Sequence, residues 1–145
     1  MDIWTREVIG LSVSTSHSVW LILEALLMAL WQRPPPLICH SDQGSEYKSG
    51  IYTGLEKSFG LKPSMSRKAS PWENGYQESF YSQFKIDLGD PGRFEEMGEL
   101  IAEIYQTIHH YNTERIHTSL KMSPQKFAIL KTINNQGYLT TEKVS

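Results

Sequence analysis

Two carboxylates, those of Asp42 and Glu78, are the side chains whose type and position could do chemistry. Carboxylate oxygens are the ligands that a hard divalent cation such as Mg²⁺ prefers. Asp42 follows a short apolar segment, which is where open α/β sheets place functional groups. Each residue also has an ordinary interpretation, because aspartate is common in turns and a single helical glutamate usually faces solvent. Considered one at a time, neither residue defines a site.

Two short strands and a helix between them are predicted around Asp42. The run from Leu37 to His40 predicts a strand that ends at the turn Ser41–Gly44. The run from Leu61 to Ser66 predicts another strand, which Pro63 weakens. Between the strands, apolar residues at helical spacing predict a helix, and Gly60 is suited to close it in the left-handed conformation.

A further helix is predicted to carry Glu78. Asn74 followed by Gln77 resembles a capping box, and an apolar stripe at steps of four residues follows. The stripe consists of Tyr76, Phe80, Phe84 and Leu88. Glu78 points away from this stripe and shares a helix face with Ser82 and Lys85. A solvated face with a weak Glu–Lys pair is therefore the alternative to a functional role.

The chain before and after these elements extends the α/β order. Val8 to Ser14 predicts a strand, and the apolar run from Val19 to Trp31 predicts a helix that three following prolines end. Phe94 to Tyr111 predicts a long amphipathic helix with Glu95 and Glu96 in its first turn.

A short last helix is predicted to begin at Ser123 and Pro124, which suit an N-cap and a first helical position. From Asn134 onward the chain is polar and is expected to be loose. No internal repeat and no low-complexity tract interrupts the sequence.

Thirty-five residues separate Asp42 from Glu78, and at this point the sequence resembles the insertion-sequence transposases whose core is related to retroviral integrases. The catalytic signature of that family is two aspartates and a glutamate, with thirty-five residues between the last two. Four segments look like those of the family and follow in the same order. They are His40–Tyr47, Met65–Arg67, Trp72–Phe80 and Tyr111–Phe127. The resemblance covers residues 2 to about 128.

The resemblance implies both a fold and a reaction. The fold would be α/β and ribonuclease H-like, with a mixed sheet flanked by helices. The reaction would be DNA cleavage and strand transfer with two Mg²⁺ or Mn²⁺ ions, one activating the attacking oxygen and one stabilising the leaving oxygen. Asp42 and Glu78 would be catalytic residues and metal ligands. No high-energy cofactor would be needed, because one phosphodiester replaces another.

DNA, as transposon ends and as target, is the partner that the resemblance implies. Lys85 would reach a phosphate or base of the bound DNA end, and Arg67 and Lys68 are further phosphate candidates. Arg115 matches a family position and would have a structural or DNA-backbone role. For each of these side chains a solvated surface base is the alternative. Because family enzymes work as multimers, a homo-multimer or subunits of an intact transposase are also expected partners.

The first catalytic aspartate of the family has no counterpart in this sequence. In the family it lies upstream of the segment that here is Met1–Gly10. Asp2 matches a different aspartate, and only thirty-nine residues separate it from Asp42, fewer than in the family. The resemblance thus implies a partial core over residues 1–128, without the first strand and most of the second, and a tail over residues 129–145. We expect weak metal binding and low stability from such a core.

Composition and charge limit the function classes. The 145 residues are 39% hydrophobic and 21% charged, which is typical of a globular chain and excludes a disordered tail. A net charge of −2 excludes a strongly basic nucleic-acid binder as a whole, but residues 48–86 and 104–145 are each locally basic. The single cysteine, Cys39, excludes a disulfide framework. Without a secretory signal or a membrane-spanning run, a cytoplasmic, nucleoid-associated protein of a bacterium or archaeon is expected.

Two other functions stay open at this point. The chain could be a non-catalytic DNA-binding or subunit-pairing fragment, in which the basic stretches matter more than the carboxylates. It could also be an inactive remnant of a decayed reading frame. DNA binding that is independent of Mg²⁺ and of Asp42, yet steeply sensitive to salt, would favour the first of these.

Overall fold

Five α-helices and two short β-strands are found in the part of the chain that the structure describes. The computed structural model describes residues 1–67 and 74–141, and for 134–141 it describes the backbone alone. In chain order the elements are α1 (Val19–Gln32), β1 (Ile38–Ser41), α2 (Gly50–Ser58), β2 (Lys62–Met65), α3 (Gly75–Leu88), a 3₁₀ helix (Pro91–Arg93), α4 (Met97–Thr113) and α5 (Pro124–Thr141). Lys68 and the motif residues Trp72 and Glu73 lie outside the described residues.

The chain folds into two compact units. Residues 9–82 form the first unit, and residues 1–8 together with residues 83–145 form the second. Among the described residues, the buried apolar side chains include Leu23, Tyr52, Leu61 and Phe80 in the first unit, and Leu88, Ile108, Tyr111 and Pro124 in the second. Asp42 and Glu78 both belong to the first unit, so this unit holds the candidate site.

A parallel pair of strands, β1 and β2, confirms the two strands predicted around Asp42. The N–H groups of Lys62 and Ser66 donate to the carbonyls of Leu37 and Ser41, each at 3.0 Å. Because alternate residues of a strand direct their backbone groups to opposite sides, the nitrogen of Pro63 faces away from β1. Its missing N–H therefore removes no hydrogen bond between the strands, and the proline is tolerated.

The end of α2 turns the chain sharply into β2, as the glycine there predicts. Gly60 has a φ of 69°, in the left-handed region. The Leu61 N–H donates to the Glu56 carbonyl at 2.9 Å, and the Gly60 N–H donates to the Lys57 carbonyl at 3.1 Å. These two bonds form a Schellman motif, which satisfies carbonyls that the end of a helix leaves unpaired.

The strand predicted from Val8 to Ser14 is wrong, because no described residue of this segment lies in a strand. Backbone groups of this segment bond to side chains instead. In the second unit, the Val8 N–H donates to Asn112 Oδ1 at 2.9 Å, and Asn112 Nδ2 donates to the Val8 carbonyl at 3.0 Å. In the first unit, the Leu11 N–H lies 3.4 Å from Met28 Sδ. Within the described residues this apolar segment therefore has no neighbouring strand.

The apolar helix α1 lies where the sequence predicts it, to within one residue. Leu23 is buried, whereas Trp20, Leu27 and Trp31 are exposed. This helix is apolar on nearly all sides, and the described residues leave part of its apolar surface exposed.

The long helix α4 begins later than predicted. Glu96 is its N-cap residue, so Glu95 and Glu96 precede the helix, and Glu99 is the acidic residue of the first turn. The preceding 3₁₀ helix explains the difference, because it ends at Arg93 and the Arg93 guanidinium lies 4.6 Å above the ring of Phe94. Phe94 therefore belongs to that turn.

The last helix, α5, begins as predicted but is longer. Ser123 and Pro124 are buried at its start. The helix continues to Thr141, so the expectation of a loose chain from Asn134 is wrong for the backbone up to that residue. No proline and a single glycine, Gly137, follow Pro124 within the helix, so little in the sequence would stop it.

None of the helices within the described ranges is long and apolar enough to cross a membrane.

Gly10 gives a test of the packing between the amino-terminal segment and α1. A β-carbon at Gly10 would lie 2.0 Å from the carbonyl oxygen of Ala25. We expect Gly10→Ala to lower the free energy of unfolding by about 1–3 kcal/mol, as overpacking does. Urea unfolding measures this change.

The matched control is Gly54→Ala in α2 of the same unit, where a β-carbon meets nothing within 4 Å. We expect this control to raise stability by roughly 0.5–1 kcal/mol, since alanine is the better helix residue. Equal effects of the two substitutions would contradict the close contact at Gly10.

Candidate functional site

Asp42 lies in the turn that leaves the carboxyl end of β1. Its Oδ1 accepts a hydrogen bond from the Gly44 N–H at 2.8 Å, which is an Asx turn. The residue is exposed. In the described part of the chain, Gly44 is the one donor to this carboxylate. The turn thus accounts for an aspartate at this position. It also leaves the carboxylate exposed to solvent.

Glu78 lies in the first turn of α3 and is exposed. Across residues 1–67 and 74–133, no hydrogen bond or ion pair joins its carboxylate to another side chain. Ser82, one turn further along the helix, is also exposed. The helix therefore presents Glu78 on a polar face, as its position away from the apolar stripe predicts.

Ser66 connects the segments that carry these two carboxylates. This residue directly follows β2 and is only 4% exposed. Its Oγ donates to the Ser41 carbonyl at 3.4 Å and accepts from Asn74 Nδ2 at 3.1 Å. Its carbonyl accepts from Gln43 Nε2 at 3.2 Å. The residue before Asp42, the residue after it and the residue at the start of α3 are thus all bonded to one buried serine.

Gln43 also holds a cation beside the Asp42 turn. Lys48 Nζ donates to Gln43 Oε1 at 3.3 Å, while the other end of the same amide is bonded to Ser66. Both ends of the Gln43 side chain are therefore occupied, which fixes the orientation of its amide.

A second carboxylate lies close to the Asp42 turn. A β-carbon at Gly44 would be 3.0 Å from Asp42 Oδ1 and also 3.0 Å from Glu46 Oε2. Glu46 Oε1 pairs with His17 Nδ1 at 2.9 Å. A backbone hydrogen bond, and then His17, lower the pKa of Glu46. Glycine at position 44 leaves space for both carboxylates.

A group of partly buried polar side chains adjoins β1 and α2. Cys39 Sγ is 3.5 Å from the hydroxyl of Tyr52, and the ring of Tyr52 packs edge-on against Tyr47. Burial, and secondarily the charge of Asp42, raises the pKa of Tyr47, so this phenol stays protonated at neutral pH. Glu56 is 3% exposed, and its Oε2 has no hydrogen-bond partner among the described residues.

The predicted DNA-contacting residues are spread over both units. Arg67 lies in the first unit, directly after Ser66, and is exposed. Lys85 is exposed on α3 in the second unit. Arg115, also in the second unit, donates from Nη1 to Asp87 Oδ2 at 2.7 Å, so it has a structural partner on α3. Lys68 is not among the described residues.

Asp2 is in the second unit and is engaged locally. Its Oδ1 accepts from the N–H groups of Trp4 and Thr5, at 2.7 and 2.9 Å. In the first unit, His40 Nδ1 lies 2.9 Å from the hydroxyl of Ser64 on β2. Each side chain is thus engaged within its own unit.

The donor set suits a hard cation. Both candidate ligands are exposed carboxylates, and oxygen donors are what Mg²⁺ and Mn²⁺ accept. Among the described residues no cluster of three or more His, Cys, Asp or Glu side chains could hold a metal ion. Asp42 and Glu78 are the two exposed carboxylates of the motif segments that could each supply oxygen ligands.

Sequence reasoning missed the residues that support the two carboxylates. Ser66 and Gln43 are uncharged and belong to no periodic pattern. Their hydrogen bonds to neighbouring segments become visible only in the structure. Asn74 directly precedes α3, as the sequence predicts, and its side-chain amide also donates to Ser66. The one available signal was that all three lie inside the motif segments.

Comparison with known proteins gives matches along most of the chain. The integrase core domain family matches residues 1–71 and residues 59–124. The transposase for insertion sequence element IS904 of Lactococcus lactis is 37% identical over 131 residues, which are 88% of this chain and 52% of that protein. Transposase InsF for insertion sequence IS3A of Escherichia coli is 34% identical over 131 residues, 88% of this chain and 46% of that protein. The chain thus spans about half the length of these relatives.

Solved structures with a similar fold are catalytic cores of viral integrases. The catalytic core domain of BIV integrase aligns with a TM-score of 0.66 and 19% identity, over 86% of this chain and 80% of that one. The HTLV-2 integrase catalytic core domain, solved with magnesium in a trimeric form, aligns with a TM-score of 0.65 and 16% identity, over 81% and 74%. The fold is therefore α/β and ribonuclease H-like, as the resemblance predicts.

The buried Glu56 gives a prediction on pH. Burial raises the pKa of this carboxyl, and hydrogen bonding to Cys39 opposes the shift. A carboxyl with a raised pKa in the folded state stabilises the fold below its unfolded pKa and loses that contribution as the pH rises through the folded value. Between pH 4 and pH 7, we expect wild type to lose stability relative to Glu56→Gln, as measured by urea unfolding at each pH.

The control for this prediction is Glu95→Gln, at an exposed glutamate. This control measures how much the loss of an exposed carboxylate by itself contributes over the same pH range. A parallel pH dependence of wild type and Glu56→Gln would show that the Glu56 carboxyl is not desolvated in the folded chain.

Proposed function

Because the chain belongs to the integrase core domain family and its relatives are insertion-sequence transposases, we propose that it takes part in metal-dependent phosphodiester hydrolysis and strand transfer on DNA. The observation that carries the proposal is the arrangement of Asp42 and Glu78. Both are exposed carboxylates in one compact unit, and their segments are joined by the hydrogen bonds of Ser66.

Asp42 and Glu78 are the residues that would hold Mg²⁺ or Mn²⁺. When bound, such ions activate an attacking oxygen and stabilise a leaving oxygen at the phosphorus. The chain contributes two anionic oxygen donors, and the Gly44 N–H fixes the Asp42 carboxylate in its turn. Glu46 adds negative potential beside Asp42 without pairing to it directly.

DNA is the proposed partner, in the form of transposon ends and target. Lys85 and Arg67 are exposed cations that could contact phosphates, and Lys68 is proposed from the sequence alone. Arg115 would contact the DNA backbone less freely, because it already pairs with Asp87. A multimer of this chain, or subunits of an intact transposase, is the proposed assembly. We keep residues 1–128 as the catalytic core segment and 129–145 as a tail, although α5 crosses this boundary.

Calorimetric titration of Mn²⁺ into the purified chain tests whether Asp42 and Glu78 are metal ligands. We expect saturable binding that is lost in both Asp42→Asn and Glu78→Gln, because each substitution removes one anionic donor from a set of two. The matched control is Glu95→Gln, which removes an exposed carboxylate of the second unit and should bind Mn²⁺ as wild type does.

No saturable binding by the folded wild-type chain would contradict the metal site. Binding that survives in both Asp42→Asn and Glu78→Gln would place the metal elsewhere. Either result would shift the assignment to a non-catalytic DNA-binding or subunit-pairing role.

The salt dependence of DNA binding tests the cationic contacts. If Lys85 contacts a phosphate, Lys85→Ala should reduce the slope of log K against log salt by about 0.9 on duplex DNA, since one fewer counterion is released. Lys126→Ala, at an exposed lysine of α5, is the charge-matched control and should leave the slope unchanged. Fluorescence anisotropy at several salt concentrations measures both.

Equal slopes for Lys85→Ala and wild type would remove Lys85 from the DNA-contacting set. Tight binding that needs neither Mg²⁺ nor the Asp42 carboxylate would favour the non-catalytic alternative.

A further inference from the structure

We infer that Ser66 is a positioning residue, which sets the Asp42 turn against the start of the helix that carries Glu78. The inference rests on the proposed function, in which these two carboxylates act together on a metal ion. Within the described residues Ser66 makes no hydrogen bond to either carboxylate, so it acts through Ser41, Gln43 and Asn74.

The bonds of Ser66 reach three separate places. Through its N–H and Oγ it holds the Ser41 carbonyl, one residue before Asp42. Through its carbonyl it holds the side chain of Gln43, one residue after Asp42. Through its Oγ it holds Asn74, four residues before Glu78. The residues on both sides of Asp42 and the residue at the start of α3 are therefore hydrogen-bonded to the same buried serine.

The burial of Ser66 makes these bonds costly to lose. At 4% exposure, water cannot readily replace the hydroxyl as a partner for the Asn74 amide. Removing the hydroxyl leaves the Asn74 Nδ2 donor without this acceptor, while the backbone bond from Ser66 N–H to Ser41 remains. The strand pairing should thus survive, and the link to α3 should not.

The carboxylates have few contacts of their own to hold them at a fixed separation. Asp42 is bonded to Gly44 within its own turn, and Glu78 is solvated at the surface of α3. Their separation therefore follows from the positions of the turn and the helix. Residues that orient metal ligands from outside typically change metal affinity 10- to 100-fold when they are removed.

The test compares Ser66→Ala, Asn74→Ala and the double variant with wild type. The matched control is Ser64→Ala, which removes a serine hydroxyl from β2 that bonds to His40 instead. We expect Mn²⁺ affinity to fall about 10- to 100-fold in each single variant. The double variant should bind no more weakly than the weaker single variant, because both substitutions break the same bond. Ser64→Ala should bind as wild type does.

A second measurement separates this inference from the proposed function. Amide hydrogen exchange, read by NMR without metal, should accelerate at Gly44 and at the first amides bonded within α3 in Ser66→Ala and Asn74→Ala. Exchange in the core of α2 should remain unchanged, which excludes general unfolding. Ser64→Ala should accelerate none of these amides.

If wild type binds no Mn²⁺, the proposed function fails, and the exchange rates alone decide the role of Ser66. Unchanged exchange at Gly44 and α3 in Ser66→Ala overturns the inference, whether or not metal binds. Where wild type binds Mn²⁺, wild-type affinity in Ser66→Ala, or independent losses that multiply in the double variant, also overturns it.

Discussion

A single buried hydroxyl, that of Ser66, supports much of the geometry around the candidate site. Surface carboxylates have no packing to fix them, so their placement depends on the backbone that carries them. Here the backbone on both sides of Asp42 and the residue at the start of α3 are bonded to Ser66. A buried serine can do this because one hydroxyl both donates and accepts, and its own peptide group adds another donor and acceptor.

The sheet beneath the site is small, and its stability comes from what lies against it. Two parallel strands of four residues each provide few hydrogen bonds, and isolated pairs of this kind are rare. The Schellman end of α2 fixes the entry into β2, and Tyr52 and Leu61 are buried in the same unit. Glu56 Oε2 opposes this packing, since a buried carboxylate oxygen that has no hydrogen bond among the described residues is unfavourable.

Sequence predicted the elements best where the local chemistry was decisive. Gly60 marked the end of α2, and Pro124 marked the start of α5, because each residue type restricts the backbone directly. The strand at Val8 failed because strand pairing depends on a partner that lies elsewhere in the chain, and here Asn112 takes that place. For the candidate site, Asp42 and Glu78 come from the family resemblance and stay predictions, whereas the role proposed for Ser66 depends on three contacts that no local pattern encodes.

The two bonds between Val8 and Asn112 join residues that are 104 positions apart, and this has a consequence for folding during synthesis. The first unit is continuous in sequence, so all of it has been translated by residue 82. Residues 1–8 belong to the second unit, and Asn112 is among the later residues that complete it. Residues 1–8 must therefore stay without this partner until Asn112 has been translated. Domains generally fold as units as they emerge, so the first unit should fold before residues 1–8 find their partner.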